Sequence, residues 1–475
     1  MFDDSRTKII ATIGPASREK RILRKMFEAG VDVCRLNFSH GTHKDHGDTI
    51  KVIRELNIEM GTDVAILADL QGPKMRIGQI ENDSFEIQKG EILEISTEEV
   101  IGTPQKVHID YSDFAKDVDE GDIILIDDGK IKLEIVETDK LTRVKAKALF
   151  DGTLSSRKGV NLPNTEISLP GMTEKDVEDA HFAISQNVDW IALSFVRAES
   201  DVIELKQMIK RKRKRVSVIA KIEKPEAIEK LDSIIEVSDG IMIARGDLGV
   251  EIDFDKVPLL QKMIAEKCIN ASVPVIVATQ MLESMVNSFA PTRAEANDVA
   301  NAVLDGVDTL MLSGETAMGK YPVESIKSMH KIIQHTEKNR YDYNRGTPPK
   351  PESPRFIRDS ICYSAAIMAE HIGAKAVVTF TDEGNTARTI SGYRPKAHIF
   401  AFSKHNYLRS ILSLLWGVKA FYSKEYNNID NAISNSVETL KTEGFVKPGD
   451  KLIHVASTPL IKSHKTNMLK VSIVK

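Results

Sequence analysis

The chain has 475 residues, 41% of them hydrophobic and 28% charged, with a formal net charge of −4. That length exceeds one ordinary core and predicts two or three domains, and the mildly acidic balance excludes a general drive toward nucleic acid or anionic lipid. No apolar stretch approaches membrane-spanning length, and the start Met1-Phe2-Asp3-Asp4 resembles neither a secretory signal nor a transit peptide.

In chain order, eight apolar runs read as buried parallel strands: Ile9–Ile13, Val31–Leu36, Val64–Leu70, Trp190–Val196, Val216–Ile222, Gly240–Ala244, Val273–Ala278 and Thr309–Leu312. Helical patterns fill most intervals. Ser17 precedes a helix that stops at Gly30, Thr173 with Asp176 forms an acidic capping box, and Pro225 and Pro291 suit helix first turns. Strands apolar on both faces and alternating with helices predict a (β/α)8 TIM barrel over residues 1–71 and 171–345. The third interval departs from this rhythm. Between Asp69 and Trp190, Phe85–Ile87, Ile92–Ile95, Lys106–Ile109, Ile123–Ile126, Ile131–Val136 and Arg143–Ala148 alternate, with Gly-Asp and Asp-Gly turns between some of them. They predict a small inserted β-barrel lid over 72–170, at the face of the barrel where active sites form. After a Pro-rich linker ending near Pro351, helices Arg358–His371, Tyr407–Trp416 and Asp430–Glu443 alternate with strands Ala376–Phe380, His398–Phe402 and Lys451–Val455. They predict a C-terminal open α/β domain over 346–475. The cysteines Cys34, Cys268 and Cys362 are far apart in apolar segments, which suits buried thiols in the cytoplasm.

Chemistry concentrates where barrel strands end. Lys221 and Glu223 are two residues apart and share one side of an extended strand; Asp247 and Thr279 end the next two strands. One cation, two carboxylates and a hydroxyl suit a divalent-metal site that handles a phosphate-bearing anion. Glu223 and Asp247 are the metal candidates, and Lys221 the group that stabilises phosphoryl oxygens. Ordinary strand-end ion pairs are the alternative. Gly246 opens the backbone to an anion. Arg35, Asn37 and Ser39 alternate onto one side of the second strand end, and Asp69 ends the third, a set suited to phosphate plus a cation. The run Lys210–Arg215 reads as the solvated, dipole-favoured end of a helix rather than a nucleic-acid patch.

Taken together, Thr12–Ser17 (TIGPAS), Arg35–Gly41 (RLNFSHG), Lys158–Pro163 (KGVNLP), Lys221–Glu223 (KIE), Ala244–Gly249 (ARGDLG), Ala278–Met285 (ATQMLESM), Pro291–Ala302 (PTRAEANDVANA) and Ser313–Ala317 (SGETA) resemble pyruvate kinase along nearly the whole chain. The resemblance implies transfer of a phosphoryl group from phosphoenolpyruvate to ADP, giving pyruvate and ATP, in a cytoplasmic homotetramer. It implies that Glu223 and Asp247 hold Mg2+ or Mn2+ and that Lys221 stabilises the moving group. Gly246, Asp247 and Thr279 would hold the substrate carboxylate and Arg35 its phosphate, with Thr279 and Ser313 in the region that protonates the enolate. Thr12, Asn37, His40, Arg76 and Lys158 would surround the nucleotide.

Two departures carry expectations. Potassium-dependent members have a glutamate where Lys74 stands, and Asn37, Ser39 and Asp69 would otherwise help ligate K+; an ammonium supplies that charge internally, so K+ is not required. The loop Thr381-Asp382-Glu383-Gly384-Asn385-Thr386 keeps hydroxyls at Thr381 and Thr386 but carries two acids where fructose-1,6-bisphosphate-activated members resemble one another in a Thr-x-Ser-Gly-Arg-Ser pattern. Weak or absent activation by that bisphosphate is expected, with a sugar monophosphate or nucleotide as effector, helped by Lys462 or Lys465. Two other readings compete: a Mg2+-dependent aldolase or lyase, and a non-catalytic metabolite sensor on the same scaffold.

Overall fold

Burial on both faces of eight strands decides the architecture. In the computed structural model, which describes residues 5–163, 165, 167–339, 343, 345–424, 428–459 and 465–475, Lys8–Thr12, Val33–Asn37, Ala65–Asp69, Trp190–Leu193, Ser217–Ile222, Gly240–Ala244, Val275–Ala278 and Thr309–Leu312 close into one parallel barrel. The eighth strand pairs back onto the first, with Lys8 opposite Thr309 and Ala11 opposite Leu312. Ile10, Val33, Leu67, Trp190, Ile219, Met242, Ile276 and Met311 fill the barrel interior. Their neighbours Ile9, Cys34, Ile66, Ile191, Val218, Ile241 and Val277 pack outward against the helices. Each strand is thus apolar on both sides, which is why the runs read as continuous rather than alternating.

Local helix-start signals agree with the sequence reading in two places and depart in two. Thr173 and Asp176 form a reciprocal capping box at the helix Glu174–Ser185. Ser17 is not a helix cap: its hydroxyl accepts the Gly14 amide at 3.1 Å, and the helix begins at Lys20 after Glu19. Pro291 stands outside its helix, which starts at Arg293 behind the cap Thr292; Pro225 does occupy a first turn. A hydroxyl near a helix start serves a turn as readily as a cap.

Between the third and fourth barrel strands the chain forms a six-stranded sheet and a two-stranded ribbon round their own apolar core. The ribbon pairs Ser84–Ile87 with Gly152–Ser155, and Val160–Asn161 joins the sheet edge against Ile126 and Leu125. Gly152–Ser155 and Val160–Asn161 pair across long sequence separation and carry little local signal.

The C-terminal sheet runs in the order Val418–Tyr422, His398–Ser403, Ala376–Phe380, Lys451–Ala456, Met468–Ile473, parallel except for the last strand. The helix at Tyr407 ends at Leu412, earlier than expected, because the following residues turn down onto the barrel floor. There Ile411 and Leu414 join the barrel's interior cluster, and the Leu414 carbonyl accepts the Thr309 hydroxyl at 2.9 Å. A fully buried Arg394–Asp308 pair at 2.7 Å ties the two bodies together. With that floor sealed, the opposite rim is left for chemistry. No helix among the described residues is long and apolar enough to cross a membrane.

Candidate active site

Side chains from the ends of five barrel strands meet at this rim. Lys221, at the end of the fifth strand, donates to Ser194 Oγ at 2.7 Å and lies 3.0 Å from Glu223 Oε1 and 3.3 Å from Asp69 Oδ1. Arg35 Nε donates to Asp69 Oδ2 at 2.6 Å, and its Nη1 reaches Thr12 Oγ1 at 3.0 Å. Glu223 is fully buried and accepts the Phe195 amide on Oε2 at 2.7 Å. Phe195 points that amide inward from a left-handed backbone, φ 54°, a conformation costly for a bulky side chain and concentrated at functional sites. Gly72 makes room beside it, since a Cβ there would meet both Phe195 and Ser194 at 2.8 Å.

The electrostatics follow from burial. Burial works against the Lys221 ammonium, yet Asp69 and then Glu223 outweigh it and hold its pKa above the ordinary lysine value. Asp69, despite complete burial, is held below the usual carboxylate range by Lys221 and Arg35. Glu223 goes the other way: burial pushes it up, with Asp247 adding to the rise and Lys221 only partly opposing. The lysine therefore gains from both acids, while Glu223 is left short of positive charge. Its Oε1 is buried, with the ammonium nearby but outside hydrogen-bond geometry, and Asp69 Oδ1 is in the same position.

The ends of the sixth and seventh strands supply a second group of residues. Asp247 lies in the first turn of the short helix Arg245–Glu251, and Lys74 reaches its Oδ1 at 3.1 Å. Thr279 Oγ1 accepts the Gly246 amide at 2.8 Å and donates to the Ala278 carbonyl at 2.6 Å. Thr279 and Gln280 both take positive φ, 71° and 57°, and Arg245 braces them by donating to the Thr279 carbonyl while pairing with Asp298. Ser313, after the eighth strand, is fixed through its amide to Glu315, whose other oxygen takes the Leu282 amide.

The expected residues divide into groups. Lys221, Glu223, Asp69, Arg35 and Thr12 form one bonded cluster, and Gly246 with Thr279 another. Lys74 pairs with Asp247 and not with Asp69, whose two oxygens face Arg35 and Lys221; Asn37 Oδ1 accepts the Ser39 amide. Arg76 and Lys158 lie on the two chain segments that join the inserted domain to the barrel, with Lys158 paired to Asp127 at 3.0 Å. Among the described residues no hydrogen bond or ion pair links these two to Thr12, Asn37 or the exposed His40. Ser194, Phe195 and Arg245 were missed. The strand-end rule that selected Lys221 would also have flagged Ser194, whereas an amide has no sequence signature.

In the C-terminal domain, Thr381 Oγ1 accepts the Gly384 amide and Thr386 Oγ1 shares a hydrogen bond with Thr466 Oγ1 at 2.8 Å. They border a cavity of about 310 Å³ with Arg358, Lys465, Asp382 and Glu383. Lys462 lies outside the described residues.

Family models and known proteins agree on the kinship. The model described as "Pyruvate kinase, barrel domain" matches residues 4–326, and "Pyruvate kinase, alpha/beta domain" matches 359–472. The chain is 43% identical over 471 residues to a pyruvate kinase of Geobacillus stearothermophilus and 44% to one of Bacillus licheniformis, covering 99% of this chain and 80% of each relative. A crystal structure of a pyruvate kinase from Cryptosporidium parvum superposes with a TM-score of 0.92 at 36% identity, covering 99% of this chain and 96% of that one. The chain belongs to the pyruvate kinase family, transferases that convert phosphoenolpyruvate and ADP to pyruvate and ATP.

Proposed function

We propose that the Lys221–Thr279 rim carries this transfer, with Lys221 and Arg35 on the moving phosphoryl group and Glu223 and Asp247 holding a divalent cation. Three carboxylates (Asp69, Glu223, Asp247) and three cations (Arg35, Lys74, Lys221) nearly cancel there. A highly charged phosphate ester therefore needs further positive charge. The observation that carries the reading is Glu223 itself: its carboxylate is buried, its Oε1 makes no hydrogen bond, and its pKa stays raised although Lys221 lies 3.0 Å away, so it has room for more positive charge. Among the described residues no group of three or more His, Cys, Asp or Glu side chains is placed to hold a metal ion by itself, and two carboxylates completed by substrate oxygens and water are what Mg2+ or Mn2+ accepts. When bound, such an ion supplies positive charge to phosphate and enolate oxygens.

This chain's residues do the rest. Lys221, kept charged by Asp69 and Glu223, faces the phosphoryl oxygens as the bond to the enolate oxygen breaks and the bond to ADP forms. Arg35, oriented by Asp69 and Thr12, holds the same phosphate. Gly246, Asp247 and Thr279 take the carboxylate end, and Thr279 with Ser313 borders the place where the enolate carbon gains its proton. Thr12, Asn37, His40, Arg76 and Lys158 serve the nucleotide, the last two arriving with the inserted domain (residues 72–170), which acts as a lid on the barrel. The test is pyruvate formation from phosphoenolpyruvate and ADP together with Mn2+ binding to the free enzyme. Glu223→Gln should abolish both, and Mn2+ binding unchanged in that variant refutes the metal assignment.

The enzyme turns over without K+ in this reading, because the Lys74 ammonium supplies a fixed charge beside Asp247 in place of an ion at Asn37, Ser39 and Asp69. The C-terminal cavity takes a sugar monophosphate or a nucleotide, since Arg358 and Lys465 face it but Asp382 and Glu383 oppose a second phosphate. The assembly is a homotetramer: Phe254, Leu259, Phe289 and Met318 are exposed on the barrel domain, and Ile357, Val471 and Ile473 on the C-terminal domain, two apolar sets suited to two self-complementary interfaces. Three buried, unpaired cysteines suit the reducing cytoplasm.

A further inference from the structure

The segment that returns from the lid to the barrel is fastened by a polar joint outside the reaction centre. Glu251 Oε1 accepts Asn161 Nδ2 at 2.7 Å and Lys224 Nζ at 2.6 Å. All three residues are buried, Asn161 and Glu251 at 4% exposure and Lys224 at 5%. The second Glu251 oxygen is buried without a hydrogen bond. Beside the joint is a void of about 10 Å³ lined by Asn161, Lys224, Phe195 and Lys74, room for at most one water. Solvent thus offers little replacement for a lost bond.

Each corner of this triangle belongs to a different functional element. Asn161 sits in the edge strand of the lid sheet, paired to Leu125, three residues after Lys158 and beside the strand that leads to Asp127, the partner of Lys158. Lys224 follows Glu223 directly. Glu251 is the last residue of the helix whose first turn carries Asp247. One carboxylate therefore receives one donor from the lid and one from the residue beside a proposed metal ligand. We infer that Asn161, Lys224 and Glu251 form a latch that sets the closed position of the lid, and with it Lys158, relative to Glu223 and Asp247. They are positioning residues and touch no reacting atom. The inference rests on the metal assignment above for what the latch aligns.

The test separates a latch from mere structural support. Asn161→Ala removes the lid's donor and leaves the Lys224–Glu251 pair intact. A hydrogen bond to a charged group is worth roughly a tenfold effect. We therefore expect KM for ADP to rise about tenfold, KM for phosphoenolpyruvate to stay within twofold and the thermal midpoint to hold. The native cysteines are buried, so dyes on Leu141→Cys in the lid and Glu266→Cys on the barrel report lid position by energy transfer. The distance distribution of the Asn161→Ala protein should broaden. The double variant Lys224→Met with Glu251→Gln, made with Asn161 in place, keeps the amide contact without the ion pair and should keep the narrow distribution. An unchanged distribution with unchanged ADP KM in Asn161→Ala overturns the latch, as does a loss that follows the thermal midpoint for both substrates alike. Mn2+ binding should be intact in Asn161→Ala and lost in Glu223→Gln, so failure of the metal assignment is seen separately.

Discussion

Replacing Lys221 with methionine keeps an unbranched side chain, one atom shorter, and removes the charge together with its hydrogen bond to Ser194. In the folded protein that charge lies 3.0 Å from Glu223 and 3.3 Å from Asp69, both almost wholly buried. Breaking a buried ion pair from one side typically costs about 3–5 kcal/mol. Asp69 keeps Arg35 at 2.6 Å, so the loss falls mainly on Glu223, whose pKa is already raised. A divalent cation on Glu223 should offset it. The expected result is a thermal midpoint several degrees lower without Mg2+ and a smaller loss with saturating Mg2+. Catalysis suffers separately: one fixed positive group aimed at transferring charge is worth roughly 10²–10³ in kcat. The assay is pyruvate formation at saturating ADP and Mg2+, with phosphoenolpyruvate titrated, alongside melts with and without Mg2+. A kcat within tenfold of the unmodified enzyme would refute the role of Lys221. A stability loss independent of Mg2+ would refute the idea that the same site accepts the metal.

Rate in K+-free buffer should equal the rate with added KCl at matched ionic strength, and Lys74→Met should lose activity that K+ partly restores; abolished turnover of the unmodified enzyme without K+ rejects this role of Lys74. Fructose-1,6-bisphosphate should leave half-saturating phosphoenolpyruvate nearly unchanged, whereas a sugar monophosphate or nucleotide lowers it, an effect lost in Thr386→Val; a large shift with the bisphosphate contradicts the reading. Sedimentation should give a tetramer, and Phe254→Asp should reduce it to smaller species; a monomeric parent protein rules the apolar patches out as interfaces. His454 joins two strands of the C-terminal sheet by bonding Ser472 at 2.8 Å, and burial, helped by Lys470, pushes its pKa down to about 4. The unfolded chain, titrating near the ordinary 6.5, binds the proton first. Stability from this group is therefore full above pH 6.5 and is lost toward pH 4, by about 3 kcal/mol in all. His454→Gln should flatten the acid limb of a melt series, and an unaltered limb would show that His454 does not drive it.

The eight apolar runs, their order and the strand-end residues were legible because each is a local pattern: a parallel strand buried on both faces must be apolar throughout, and polar residues survive only where it ends. The same locality made Thr173 with Asp176 readable as a capping box and misled at Ser17 and Pro291, where the residue type suits a cap or first turn but the chain uses it one turn earlier or one residue outside. Family motifs added the reaction. Only the tertiary structure decided which charges meet. Asp69 lies between Arg35 and Lys221, Lys74 reaches Asp247 across Gly159, where a Cβ would stand 2.9 Å from its chain, and Glu251 receives one donor from the inserted domain and one from the barrel. These partners are separated by up to about 170 residues, and barrel closure and the return of the inserted domain bring them together. Sequence periodicity encodes which face of an element is buried; which charged group lies across from it is set by strand order and loop path, and those are properties of the folded chain alone.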